Sequence, residues 1–70
     1  MTLYEVFMAM WAEWIRDFPA HRMGQAAYNA FHDPEVVYNV NRVPKTDPFH
    51  DDSLLPEFLA GVKEILTEKP

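Results

Sequence analysis

The sequence predicts an all-α fold: a small compact bundle of three main helices plus one short helix, with an ordered Asp-Pro-Phe loop before the last helix. Three observations predict it. Apolar residues recur at intervals of three and four over long stretches, which is the spacing of one helix face. The prolines fall at the edges of those stretches or in the loop between them, where helices start and stop. The one segment with strand character, the valines of 36–43, has no second such segment to pair with. Seventy residues form a single domain, 1–70, that buries only ~60% of its unfolded surface. There are no cysteines, so disulfides and thiolate metal sites are excluded. Stability must come from packing, from a histidine/carboxylate site or from association of chains.

The first helix starts at Thr2-Leu3-Tyr4-Glu5, a capping box in which Thr2 accepts from the third helical amide and Glu5 reaches back. Phe7, Met10, Trp11, Trp14 and Phe18 form its apolar stripe, widened by Leu3, Val6 and Ile15. Glu5, Ala9, Glu13 and Arg16 occupy the other side, and Pro19 ends the helix. Pro19 also suits the first turn of a second helix over 20–32. Gly24 inside that helix costs ~1 kcal/mol relative to alanine, so it calls for a close neighbour, such as another helix or a tryptophan of the first. Asp33-Pro34-Glu35 is a further helix start: an N-cap, a proline at the first position and an acid in the first turn. A short helix is expected from there to the residue before Pro44. Residues 43–53 are a loop, and the helix of Leu55, Phe58, Leu59, Val62, Ile65 and Leu66 follows, capped by Asp52 or Ser53. The tail 67–70 is expected to fray.

Composition narrows the function classes. The chain is 49% hydrophobic and 14% aromatic, which excludes a disordered chain and leaves aromatic surface for a partner or for self-association. Eleven acids against six scattered bases give a net charge of -5, with no basic stripe for phosphate backbones. An acidic chain instead suits a basic surface on a protein partner. The N-terminus lacks the pattern of a signal peptide, and the charge-free run 6–12 is far shorter than the ~20 residues of a membrane span. A cytoplasmic protein with no membrane partner is expected.

Possible chemistry is concentrated in "TDPFHDD", residues 46–52. Asp47, His50, Asp51 and Asp52 could supply oxygen and imidazole ligands, but their spacing matches no EF-hand loop or paired-histidine helix. Turn and cap chemistry accounts for them one by one. Asp47-Pro48 starts a turn, Phe49 plugs the loop onto the core, and Asp51 and Asp52 precede a helix N-terminus that favours negative charge. No metal, no cofactor and no catalytic residue is therefore assigned. Ser53 near His50 reads as a cap rather than a nucleophile, and both glycines lie in helices rather than in a phosphate loop. Arg22, Gln25, Asn29 and His32 share one helix face and carry side chains suited to gripping a backbone or an anion. The alternatives are an ordinary solvated face, or Gln25 and Asn29 bonded to the backbone of the 43–53 loop. The candidate partner-binding set is Arg22, Gln25, Asn29, His32, His50, Asp51 and Asp52, with Asp47, Pro48 and Phe49 as a structural clasp. Met8, Met10, Trp11 and Trp14 are core, with one edge of the first helix left over for a homodimer.

The string Arg22-Met23-Gly24-Gln25 with Asn29, then Asp47-Pro48-Phe49-His50-Asp51-Asp52, then Phe58-Leu59 and Val62, resembles a group of small proteins of tailed phages and prophages. Their pattern is R-x-G-Q-x-x-x-N, D-P-F-[YH]-x-D and F-L-x-x-V, and it covers most of residues 14–66. Pro44 and Lys45 stand where the group has an Arg-Gly-Thr-like turn. The resemblance implies a phage- or prophage-borne accessory protein acting on a bacterial host protein. Taken with the composition, the expectation is a small protein-interaction module, not an enzyme. Three other readings accompany it: an acidic nucleic-acid mimic blocking a host enzyme, a structural homodimer, and a metal-dependent hydrolase built on His50 and the aspartates.

Overall fold

Four α-helices, α1 (Leu3–Asp17), α2 (Met23–Phe31), α3 (Pro34–Val37) and α4 (Leu55–Thr67), make up the computed structural model, which describes residues 2–68. No strand occurs among the described residues, and none of the helices is long and apolar enough to cross a membrane. The Cα radius of gyration is 11.2 Å, close to the ~11 Å expected of a folded chain of this length.

α1 begins with the expected capping box. The Glu5 amide donates to Thr2 Oγ1 at 3.1 Å, and the Thr2 amide donates to Glu5 Oε1 at 2.9 Å. The helix ends at Asp17, with Phe18 as its C-cap before Pro19. Pro19 does not open α2. Residues 19–21 form a turn, closed by the His21 amide on the Phe18 carbonyl at 3.0 Å, and Arg22 is the N-cap of a helix that starts at Met23. The short connection leaves α1 and α2 as packed neighbours, and Trp11 Nε1 of α1 donates to the Met23 carbonyl at 3.2 Å.

α3 is shorter than the valines suggest. Asp33 caps it by accepting from the Glu35 amide at 2.9 Å, and Pro34 opens it, but it stops at Val37. Asn39 Nδ2 donates to the Glu35 carbonyl at 2.8 Å, a side-chain bond that competes with continued helix. β-Branched and asparagine residues have little helix propensity to resist it. The irregular segment therefore runs from residue 38 to 51 rather than from 43 to 53. It is tied to α4 at two points. Arg42 Nη2 donates to Glu64 Oε1 at 3.3 Å and also pairs with Glu68, while Thr46 Oγ1 donates to Glu57 Oε2 at 3.0 Å. Neither Asp52 nor Ser53 caps the last helix: its N-cap is Leu54, which makes no side-chain cap bond, and the capping side chain is that of Asp51, one turn earlier. Asp51 precedes a 3₁₀ turn, Asp52–Leu54, that runs directly into Leu55. At the other end Thr67 is the last helical residue and Glu68 the C-cap; the rest of the tail, residues 69–70, lies outside the described residues.

The core draws on every helix: Phe7, Ala27, Ala30, Phe31, Val36, Phe58, Val62, Ile65 and Leu66 are buried together. The small alanines of α2 let α1 and α4 approach, and Phe31 meets Phe58 edge-on at 6.2 Å. Met10, Trp11 and Trp14 pack half-buried against this core, as expected. Met8 does not; it is exposed.

Candidate functional site

The loop "TDPFHDD" folds onto the start of α2, and nearly every polar residue in it is used. Asp47 Oδ1 accepts from the Phe49 amide two residues on, at 2.9 Å, the turn that Asp-Pro promises. That turn drives Pro48 into the interior, where it is fully buried. Phe49 stays half-buried, so the plug of the loop is Pro48 and not Phe49. The Pro48 carbonyl accepts from the Asp51 amide at 3.2 Å and lies against Gly24 so closely that a Cβ there would overlap it. Gly24 is thus explained by the approach of this loop, not of another helix or a tryptophan.

Two long-range bonds lock the pair. Asp52 Oδ1 accepts from the Gly24 amide at 3.0 Å, so an acid placed 28 residues away supplies the helix-start acceptor that Arg22 cannot. Arg22 donates to the Phe49 carbonyl at 2.8 Å, and its Nε lies 4.0 Å from Asp52 Oδ1. Asp51 accepts from both the hydroxyl of Ser53, at 2.6 Å, and its amide, at 2.9 Å. Those two Ser53 bonds, helped by the Arg22 charge, hold the Asp51 carboxyl below its usual range.

The proposed grip of α2 is divided by this arrangement. Arg22 is the N-cap residue and is committed to the loop. Gln25 and Asn29 remain half-buried on α2 and, among the described residues, make no side-chain hydrogen bond to the loop; Arg22 makes that bond. His32 is the C-cap, its Nδ1–H donating to the Tyr28 carbonyl at 2.9 Å.

Arg22, Asp51, Asp52 and His50 are brought together around the loop, and a row of rings extends from it. The His32 ring stacks on Tyr28 at 4.2 Å; Tyr28 meets Phe49 edge-on at 5.3 Å; Phe49 meets His50 edge-on at 4.7 Å. Both histidines are exposed, and Tyr28 and Phe49 are half-buried. Tyr28 is the residue that sequence reasoning missed. Its signal was its position four before His32, on the same helix face, but its partner Phe49 lies 21 residues on and no local period reports it.

Among the described residues, no three histidine, aspartate or glutamate side chains gather into a metal-binding group. A groove of about 590 Å³ lies between the 42–46 segment and α4, with Ala60 and Gly61 in its wall, and its Arg42, Thr46, Glu57 and Glu64 side chains are bonded to one another or to Glu68. Compared with protein-family models, curated proteins and solved structures, the chain matches none.

Proposed function

We propose that this chain is a protein-interaction module that acts by binding rather than by catalysis, and that it holds its partner on the ring row His32, Tyr28, Phe49 and His50. The observation that carries this reading is the row itself: four stacked or edge-on rings, exposed at both ends, anchored to the clasp that joins the loop to α2. Rigid aromatic groups give large contact area at small entropic cost, and interfaces are enriched in them. Asp51 and Asp52 border the row and add an acidic edge for a basic partner. The only serine donates its hydroxyl to Asp51, which speaks for a cap and against a nucleophile.

The resemblance to phage and prophage proteins points the reading toward a bacterial host protein and a cytoplasmic setting. Mimicry of a nucleic acid has less support. A mimic needs carboxylates presented outward in series, whereas nine of the eleven acids here accept bonds from the chain's own amides, hydroxyls or guanidinium groups.

The test is affinity capture from bacterial lysate with the tagged chain and with a His32→Ala/His50→Ala variant. A partner retained by the first and lost by the second, with helical circular dichroism unchanged, is the expected outcome. Recovery of the same proteins by both, or of nothing specific by either, would sink the reading.

A further inference from the structure

α1 carries a second surface that shares no residue with the ring row. Tyr4, Met8, Trp11, Ile15 and Phe18 follow one another at intervals of four, three, four and three, the 3.5-residue repeat of a helix–helix seam. In the monomer this seam is only partly covered: Met8, Ile15 and Phe18 are 39%, 37% and 46% exposed. Ala12 is exposed between them, and Met23, 45% exposed, is tied beside Trp11 by the indole bond to its carbonyl. No charged residue interrupts the strip. Its outer edge carries one acid, Glu5, near the N-terminal end, and one base, Arg16, near the C-terminal end, about 16 Å apart along the helix.

We infer that this strip is the contact surface of a homodimer in which α1 packs antiparallel against α1 of a second copy. Charge decides the occupant and its direction. In an antiparallel pair, the edges that carry Glu5 and Arg16 face each other, with Glu5 of each copy toward the end that carries Arg16 of the other; in a parallel pair the two charged edges lie on opposite flanks of the seam and do not meet. The Arg16–Asp17 pair within one chain is exposed and joins sequence neighbours, so Arg16, with five donors, remains able to bond across. The two-fold axis falls near Ala12, whose small side chain admits Trp11 of the partner, and Met8 of each copy lies against Ile15 of the other. One helix face is smaller than the ~800 Å² that each partner gives to a standard interface, so the dimer forms at high protein concentration and exchanges readily.

Sedimentation of the full chain from micromolar to millimolar concentration tests this, with the mass expected to rise from 8.2 kDa toward twice that value and Ile15→Glu expected to stay monomeric with its helical spectrum intact. The absence of cysteine makes cross-linking a clean second readout. Ala12→Cys is expected to form an intermolecular disulfide well above a Lys63→Cys control on the exposed face of α4. Met8→Cys is expected to link to Ile15→Cys in a mixture but poorly to itself. A monomeric mass throughout, or cross-linking of Ala12→Cys no better than the control, would overturn the dimer. Self-linking of Met8→Cys as efficient as the mixed pair would overturn the antiparallel register.

Discussion

Gly24 is the residue on which the clasp turns. In an open helix, replacing it by alanine would gain up to ~1 kcal/mol of propensity. Here the new methyl would overlap the Pro48 carbonyl oxygen and lie 2.8 Å from Asp52 Oδ1. The Pro48 backbone cannot yield easily, because Pro48 is fully buried and the Asp51 amide holds its carbonyl. Gly24→Ala is therefore expected to destabilise by about 1–3 kcal/mol, the usual cost of overpacking, read as a lower urea midpoint. Asp52 tests the same contact from the other side. Asp52→Ala removes the acceptor of the Gly24 amide and is expected to cost about 0.5–2 kcal/mol, as loss of an N-cap does, in the same unfolding experiment. The need for a close neighbour at Gly24 was legible from the sequence, because glycine is expensive inside a helix. Which neighbour it was depended on a contact made across 28 residues of chain, and helical periodicity carries no information at that range.

At the scale of the element, four acids, Glu5, Asp33, Asp51 and Asp52, serve helix starts. Glu5 is held below its usual 4.5 by the Thr2 amide and hydroxyl, Asp17 below 3.8 by Arg16, and Asp51 below 3.8 by the hydroxyl and amide of Ser53. Each binds its proton less readily in the folded chain than in the unfolded one. Their stabilising effect is thus complete above those usual values and fades as pH falls through the lowered ones. Thermal melts between pH 6 and pH 2 should show a stable plateau at the upper end and a falling midpoint below about pH 4. Asp51→Asn should flatten that fall, and an unchanged slope would show that the Ser53 bonds matter little. Helix starts were the most legible elements, since Thr2-Glu5 and Asp33-Pro34 act within three residues of themselves. The starts of α2 and α4 were less so. α2 has an arginine at its N-cap and borrows its acceptor from Asp52, while α4 is entered through a 3₁₀ turn capped by Asp51.

The whole molecule has little stability to spare. At roughly 0.05–0.15 kcal/mol per residue, a chain of 70 residues holds on the order of 4–10 kcal/mol. Truncation of a buried phenylalanine costs about 3–5 kcal/mol, because a cavity adds to the lost transfer energy. Phe58→Ala, at the meeting of α4 and α2, is accordingly expected to leave a substantial unfolded fraction at 37 °C, visible as loss of dispersion in an amide NMR spectrum. Tyr38→Ser, at a ring 82% exposed, should leave that spectrum and the melting midpoint unchanged.

What the sequence determined by itself was the all-α class, the four helical segments and the caps that start α1 and α3, because each depends on spacing and hydrogen bonds within a few residues. It also marked residues 46–52 as an ordered turn. What only the tertiary structure decided was the use of those residues, Pro48 rather than Phe49 as the plug and Asp52 as the acceptor for another helix, together with Tyr28 as the link between His32 and Phe49 and which residues of α1 form the edge that the core leaves uncovered. The physical reason is one of range. A helix start is satisfied by its own neighbours, but a chain too short to surround every apolar face settles which one stays outside only when all its helices have packed.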